Sequence, residues 1–347
     1  MKIALLAPFE EPVPPIKYGG TERVVYYLAE GLVQLGHDVT LFASGGSKTS
    51  AKLVPCITKP VRTSPQAHNA RTRQTANLRG LIKAASLIRQ EEYDIVHNHF
   101  GWEALLFSEL IKHPMVTTVH GSMAEPITNY MHALYKSQPI VSISNSQRLH
   151  AKNLNYVGTV YNGIDPSGFS FGAKPKDYLM FLGRIHPQKG PAQAIKIAKA
   201  AGRKLIMAAK IDPAEEGYFK KTVEPLIDGK QIVFVREPAE KHKIALLKSA
   251  YALIAPIQWD EPFGMVNIEA LACGVPVITI KRGSTSEIII DGKVGYLCRD
   301  TKQMIKRVED VGKISRRACR DHVSANFTAE KMAKGYEQVY KKLIKRL

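Results

Sequence analysis

Two glutamates, Glu261 and Glu269, stand in the stretch EPFGMVNIEALACGVPVI (261–278), which otherwise reads as buried. A carboxylate is rarely taken out of water unless something compensates it, so the pair asks for a ligand or a partner. Pro262 is awkward inside a helix, which leaves Glu261 in a loop. The spacing of Met265, Ile268, Leu271 and Ala272 predicts a helix from about Gly264 to Cys273, with Gly274 as its stop. The free amides at its start, near Gly264, Met265 and Val266, would attract an anion. Glu269 then lies more than one turn in.

A second candidate is FLGRIHPQKG (181–190), where an apolar run ends and Arg184 and Lys189 precede a helix expected near Pro191. Cations at the C-terminal end of a strand are placed to neutralise a diphosphate, although two surface cations on a loop would look the same. A third is Tyr18-Gly19-Gly20 ahead of a helix beginning near Thr21. Glycines there let backbone approach a phosphate, and a plain tight turn is the competing reading, since the spacing is not GxGxxG. One ligand would satisfy the set. Its diphosphate would take the helix start and the Arg184/Lys189 pair, and its sugar hydroxyls would donate to the two carboxylates.

The elements that must hold these groups follow from the apolar runs. Strands are expected at 2–8, 38–43, 94–97, 115–119, 140–144 and 159–162, with a helix over 21–35 whose face is Val24, Val25, Leu28, Leu32 and Leu35. After the Gly- and Pro-rich segment 163–177 the pattern restarts, with strands at 178–182, 204–209, 231–235, 251–256 and 275–280. Continuous apolar runs suit buried parallel strands. Two such halves imply an α/β chain of two doubly wound Rossmann-like domains facing a cleft, 1–165 and 166–328.

Composition narrows the partners. The net charge of +18 is uneven: residues 1–165 hold 16 Lys and Arg against 12 Asp and Glu, and the remainder holds 33 against 19. Residues 39–90 carry nine Lys and Arg and no acid. Such a surface suits an anionic membrane, nucleic acid or phosphorylated ligands, or is simply solvated. Residues 69–90 set Leu78, Leu81, Ile82, Ala85 and Ile88 at helical spacing among Arg71, Arg73, Arg79, Lys83 and Arg89. That helix is expected to face the core, with contact to an anionic membrane as the alternative. Cys56, Cys273, Cys298 and Cys319 are scattered without zinc spacing, which fits thiols in a reducing cytoplasm. The opening MKIALLAPFEE is too short in its apolar run for a signal peptide, and no run is long enough to span a membrane. A cytoplasmic protein, or one peripheral at the inner face of the membrane, is expected.

These motifs resemble the retaining glycosyltransferases of family 4, which have the GT-B fold. The resemblance runs through YGGTE (18–22), DIVHNH (94–99), TVHG (118–121), SISNSQ (142–147), YNGID (161–165), LGRIHPQKG (182–190) and the E-x7-E stretch at 261–269. It implies that Glu269 binds the ribose of a nucleotide sugar and that Glu261 holds the transferred sugar. It implies that Arg184 and Lys189 neutralise the leaving diphosphate, while Gly19, Gly20 and the amides after Phe263, those of Gly264, Met265 and Val266, close round donor and phosphate. His120 matches the family's active-site histidine; His97 and His99 are expected to be structural. In this fold a C-terminal helix, here 329–347, packs back on the first domain. Arg236 and Ala209 stand where relatives usually have Gly, which leaves the nucleotide base open.

The implied reaction moves a hexose from a nucleotide diphosphate sugar, UDP-glucose by resemblance, to an acceptor that is a small molecule, a glycan or a lipid. No cofactor and no metal are expected, and no DxD occurs in the sequence. A GT-B nucleotide-sugar epimerase or phosphorylase is one alternative. A non-catalytic basic binding module is another, and it leaves the carboxylate pair unexplained; no specific nucleic acid partner is expected.

Overall fold

The computed structural model describes residues 1–64 and 69–345. Contacts divide the chain into Met1–Gly163 with Ala329–Leu347, and Ile164–Thr328. Each unit is a parallel sheet with helices packed on it.

In the N-terminal unit the strands are β1 (Lys2–Leu6), β2 (Asp38–Ser44), β3 (Lys52–Ile57), β4 (Ile95–Asn98), β5 (Met115–Val119), β6 (Ile140–Ser142) and β7 (Tyr156–Thr159). Their order is β3-β2-β1-β4-β5-β6-β7, all parallel. Its main helices are α1 (Gly20–Gln34), α2 (Ala70–Ile88), α3 (Pro126–Leu134) and α11 (Ala329–Ile344). The central strands are buried throughout, which is why they read as unbroken apolar runs. Phe9, Phe42, Leu81, Ile88 and Leu105 belong to one core cluster that joins β2 to α2. Helix α11 lies on α1, where Gly31 leaves room for Ala333; a Cβ on Gly31 would sit 2.9 Å from that methyl. The last two residues of the expected 329–347 helix lie outside the described residues.

In the C-terminal unit the strands are β8 (Tyr178–Arg184), β9 (Lys204–Lys210), β10 (Ile232–Arg236), β11 (Ala252–Ala255), β12 (Val277–Ile280) and β13 (Gly295–Cys298). Their order is β10-β9-β8-β11-β12-β13, again all parallel. The helices are α4 (Pro191–Ala200), the single turn α5 (Glu216–Tyr218), α6 (Glu240–Ser249), α7 (Met265–Ala272), α8 (Thr285–Ile288), α9 (Thr301–Asp310) and α10 (Arg316–Asn326). Both sheets are doubly wound. Strand order reverses between β1 and β4 in one and between β8 and β11 in the other, and ligands of such sheets sit beyond the strand ends at that reversal.

Several expectations need correction. Strands β3 and β13 were not expected, and the strand placed at 159–162 lies at 156–159. The segment 163–177 is not a free linker: Phe169 is buried, and Gly172 donates its N–H to the carbonyl of Cys273 at 3.0 Å. On α2 the buried face is Gly80, Leu81, Ala84, Ala85 and Ile88, while Ile82 is 58% exposed. At 100° per residue the buried positions span an arc centred near Ile88, and Ile82 falls about 120° from that centre, outside the arc. Arg71, Arg79, Lys83 and Arg89 are exposed, and Arg73 pairs with Glu10 at 2.9 Å. No helix among the described residues is long and apolar enough to cross a membrane.

Candidate active site

The loops after β8 and β11 and the start of α7 converge at the strand-order reversal of the C-terminal unit. Glu261 and Glu269 are both buried, 8% and 5% exposed. Each is met by a lysine. The ammonium of Lys189 pairs with Oε2 of Glu261, and Trp259 donates its indole N–H to the same oxygen at 3.0 Å. Lys189 also lies 5.2 Å from the centre of the Trp259 ring. Lys243 of α6 donates to Oε2 of Glu269 at 3.0 Å and pairs with Glu240 at 3.1 Å. Arg184 ends β8 and faces Asp212 at 3.5 Å, so it belongs to a separate ion pair from Lys189.

Local sequence builds this frame. Gly264 caps α7 in the left-handed region (φ 84°), a conformation that suits glycine and brings no side chain to compete for the helix-start amides. Asn267 spends its N–H on the carbonyl of Gly264, leaving Met265 and Val266 to offer theirs. The loop holding Glu261 is clamped from the turn after β12. Ser284 donates its N–H to the Glu261 carbonyl at 3.0 Å and its hydroxyl to that of Phe263 at 2.8 Å. Gly283 makes the clamp possible, since a Cβ there would collide with the backbone of Glu261.

In the N-terminal unit Gly19 and Gly20 open α1, whose first turn carries its own carboxylate. Glu22 is buried, and burial pushes its carboxyl up to about 7. Around β4 and β5 three imidazoles form a chain. His120 Nε2 lies 2.9 Å from His99 Nδ1, and His99 Nε2 lies 3.1 Å from His97 Nδ1. His97 continues to Thr118 at 2.8 Å and to the hydroxyl of Tyr340, and Thr118 reaches Tyr336 at 3.1 Å. Burial holds all three histidines below their usual range, His120 at about 4, so each is neutral at pH 7. A neutral imidazole has one donor and one acceptor, so the donor sense at the His120–His99 bond dictates that at His99–His97.

Residues 169–322 match the model of "Glycosyl transferases group 1", and residues 18–167 match "Glycosyltransferase Family 4". The chain belongs to the group 1 glycosyltransferases, with a family 4 N-terminal domain. It is 25% identical to a glycogen synthase of Mycobacterium tuberculosis, over 94% of this chain and 92% of that protein. A sucrose-phosphate synthase from Thermosynechococcus elongatus superposes with a TM-score of 0.81 at 19% identity, covering all of both chains. An Anabaena protein crystallised with UDP-glucose gives 0.74 at 18% identity, again over all of both chains. The fold is therefore that of the GT-B glycosyltransferases.

Within this glycosyltransferase the group 1 domain brings together Lys189, Glu261, Phe263, Gly264, Met265, Val266 and Glu269, while Gly19, Gly20 and His120 belong to the other domain. Sequence reasoning assigned no role to Trp259 or Lys243. Trp259 stands two residues before Glu261, where an indole N–H next to a buried carboxylate was a readable signal. Lys243 had none. It is one of two lysines in KHK on α6, and only burial of Glu269 shows that a cation must come from somewhere.

Proposed function

We propose that this glycosyltransferase moves a hexose from a nucleotide diphosphate sugar, UDP-glucose first among the candidates, with retention at the anomeric carbon and without a metal ion. The observation that carries the reading is the pair of buried carboxylates on either side of the α7 start, each already opposite a lysine. A donor fits this chemistry end to end. Ribose hydroxyls donate to Glu269, sugar hydroxyls donate to Glu261, and the diphosphate accepts from the amides of Met265 and Val266 and from Lys189 and Arg184. The crystallised complex of the Anabaena neighbour with UDP-glucose supports the choice of donor.

As the glycosidic bond breaks, positive charge grows on the sugar and negative charge on the leaving diphosphate. Fixed cations and helix-start amides aimed at the diphosphate lower that barrier without reorganising. Lys189 has a double part in this reading: its ammonium, set beside Glu261 and the Trp259 ring, couples the sugar contact to the phosphate contact. His120 acts as a neutral hydrogen-bonding imidazole rather than as a cation.

The test is binding and hydrolysis of UDP-, GDP- and ADP-sugars, with and without EDTA, for wild type, Glu261→Ala and Glu269→Ala. A UDP-sugar should bind, EDTA should change nothing, and loss of Glu269 should weaken binding by about tenfold or more. Glu261→Ala should suppress turnover more than binding. If no nucleotide sugar binds, the reading fails.

A further inference from the structure

We propose that Trp259 is a positioning residue of the transfer: its indole N–H keeps Oε2 of Glu261 paired while the ammonium of Lys189 turns from that oxygen to the diphosphate. The proposal rests on the transferase reading above and deepens it. In that reading Lys189 has two anions to meet, and Glu261 is left behind whenever the diphosphate draws the ammonium away.

The free protein shows both donors on one atom. Lys189 pairs with Oε2 of Glu261, and Trp259 donates to the same oxygen at 3.0 Å. Oε1 takes part in neither bond, which leaves it to accept from a sugar hydroxyl. The side chains of Lys189 and Glu261 are only 18% and 11% exposed, so water compensates little once the pair opens. A carboxylate stripped of its cation at that depth is costly. It would take up a proton or turn towards another donor, and either change removes the acceptor held ready for the sugar. An indole is suited to prevent this. Its N–H only donates, so it competes neither for the ammonium nor for the proton of a sugar hydroxyl. Its ring face attracts a cation, and Lys189 lies 5.2 Å from the ring centre, so the ammonium leaves Glu261 along a favourable surface.

Trp259 can hold Glu261 only if its own place is fixed, and both of its neighbours are tied. Gln258 donates its N–H to the carbonyl of Gln188 at 2.7 Å, joining the loop after β11 to the loop that carries Lys189. Gly190 continues that contact, since a Cβ there would lie 2.2 Å from the carbonyl oxygen of Pro256. On the other side Asp260 pairs with Arg282 at 3.1 Å. The indole therefore stands between two anchored residues, as a fixed donor must.

Two measurements test this. Trp259→Phe keeps an aromatic face for the ammonium and deletes the N–H. It should bind UDP within about twofold of wild type, because the diphosphate does not use that N–H, and hydrolyse UDP-glucose with kcat lower by about tenfold or more. Thermal melting checks that the variant folds; if it does not, the second measurement decides alone. The sequence holds two tryptophans, Trp102 and Trp259, so the indole emission of Trp102→Phe reports on Trp259. UDP should change that emission as the ammonium leaves the ring. The proposal is overturned if folded Trp259→Phe turns over like wild type, if it loses UDP affinity and turnover in the same proportion, or if UDP binds Trp102→Phe without changing its emission. If wild type binds neither UDP nor UDP-glucose, the transferase reading falls and this proposal with it.

Discussion

The hydroxyl of Tyr340 lies 2.6 Å from Nδ1 of His97, joining residues 243 positions apart. Both side chains are fully buried, and the neighbouring Tyr336 reaches Thr118 from the same helix. Helix α11 is therefore held to the N-terminal sheet by polar contacts inside the core as well as by packing on α1. Removing one hydroxyl from such a network costs about 1–2 kcal/mol. Tyr340→Phe should lose that much stability in urea unfolding, with the slope of the transition unchanged. A variant as stable as wild type would show that the bond contributes nothing net.

His132 makes the opposite case. It is completely buried, and neither ring nitrogen has a hydrogen-bond partner among the described residues. Burial pulls it down to about 4, as it does His120. The unfolded chain takes up these protons near pH 6.5 while the fold resists them, so stability is full above 6.5 and falls as pH drops towards 4. Each group contributes about 3 kcal/mol to that loss. His132→Leu should raise stability at pH 7 by roughly 1–3 kcal/mol and flatten the acid limb measured by denaturation at stepped pH.

Glu22 shifts the alkaline side of the same window. Its carboxyl is ionised above about 4.5 in the unfolded chain but stays protonated to about 7 in the fold. The unfolded state then holds fewer protons, so stability falls as pH rises from 4.5 to 7 and is level beyond. The total is about 3 kcal/mol. Glu22→Gln should recover most of it at pH 8 and nothing at pH 4. Equal effects at both pH values would contradict the assignment of this titration to Glu22.

Lys243 and Glu269 form a buried pair, and only the lysine has a second partner, Glu240, so removing Lys243 strands Glu269 while removing Glu269 leaves Lys243 paired. Lys243→Met should cost about 3 kcal/mol or more, and Glu269→Gln should cost less. The double variant should cost much less than the sum, because no bare charge remains. A double-mutant cycle in urea gives the coupling directly, expected at about 1–3 kcal/mol. Additive losses would mean that solvent, not Lys243, compensates the carboxylate.

Central strands and the α7 site were legible because their signals are local. β1, β4, β5, β8, β11 and β12 are buried on both faces and show as apolar runs. The strands that were missed or misplaced, β3, β7 and β13, all lie at sheet edges. Pro55 interrupts β3, and glycines weaken β7 and β13, at Gly158 and Gly295, so none carries the apolar run of a buried strand. Neighbouring positions likewise determined that Glu261 precedes a helix, that Gly264 begins it, and that Glu269 lies inside it.

What the linear pattern could not supply was the set of partners. Lys243 meets Glu269 across 26 positions, Asn77 meets Glu10 across 67, and Tyr340 meets His97 across 243. Periodicity says which face of an element is buried, since that depends on residues a turn or two apart. Which charge or hydroxyl arrives opposite that face depends on sheet order and helix docking, and these exist only once the whole domain has closed on its core.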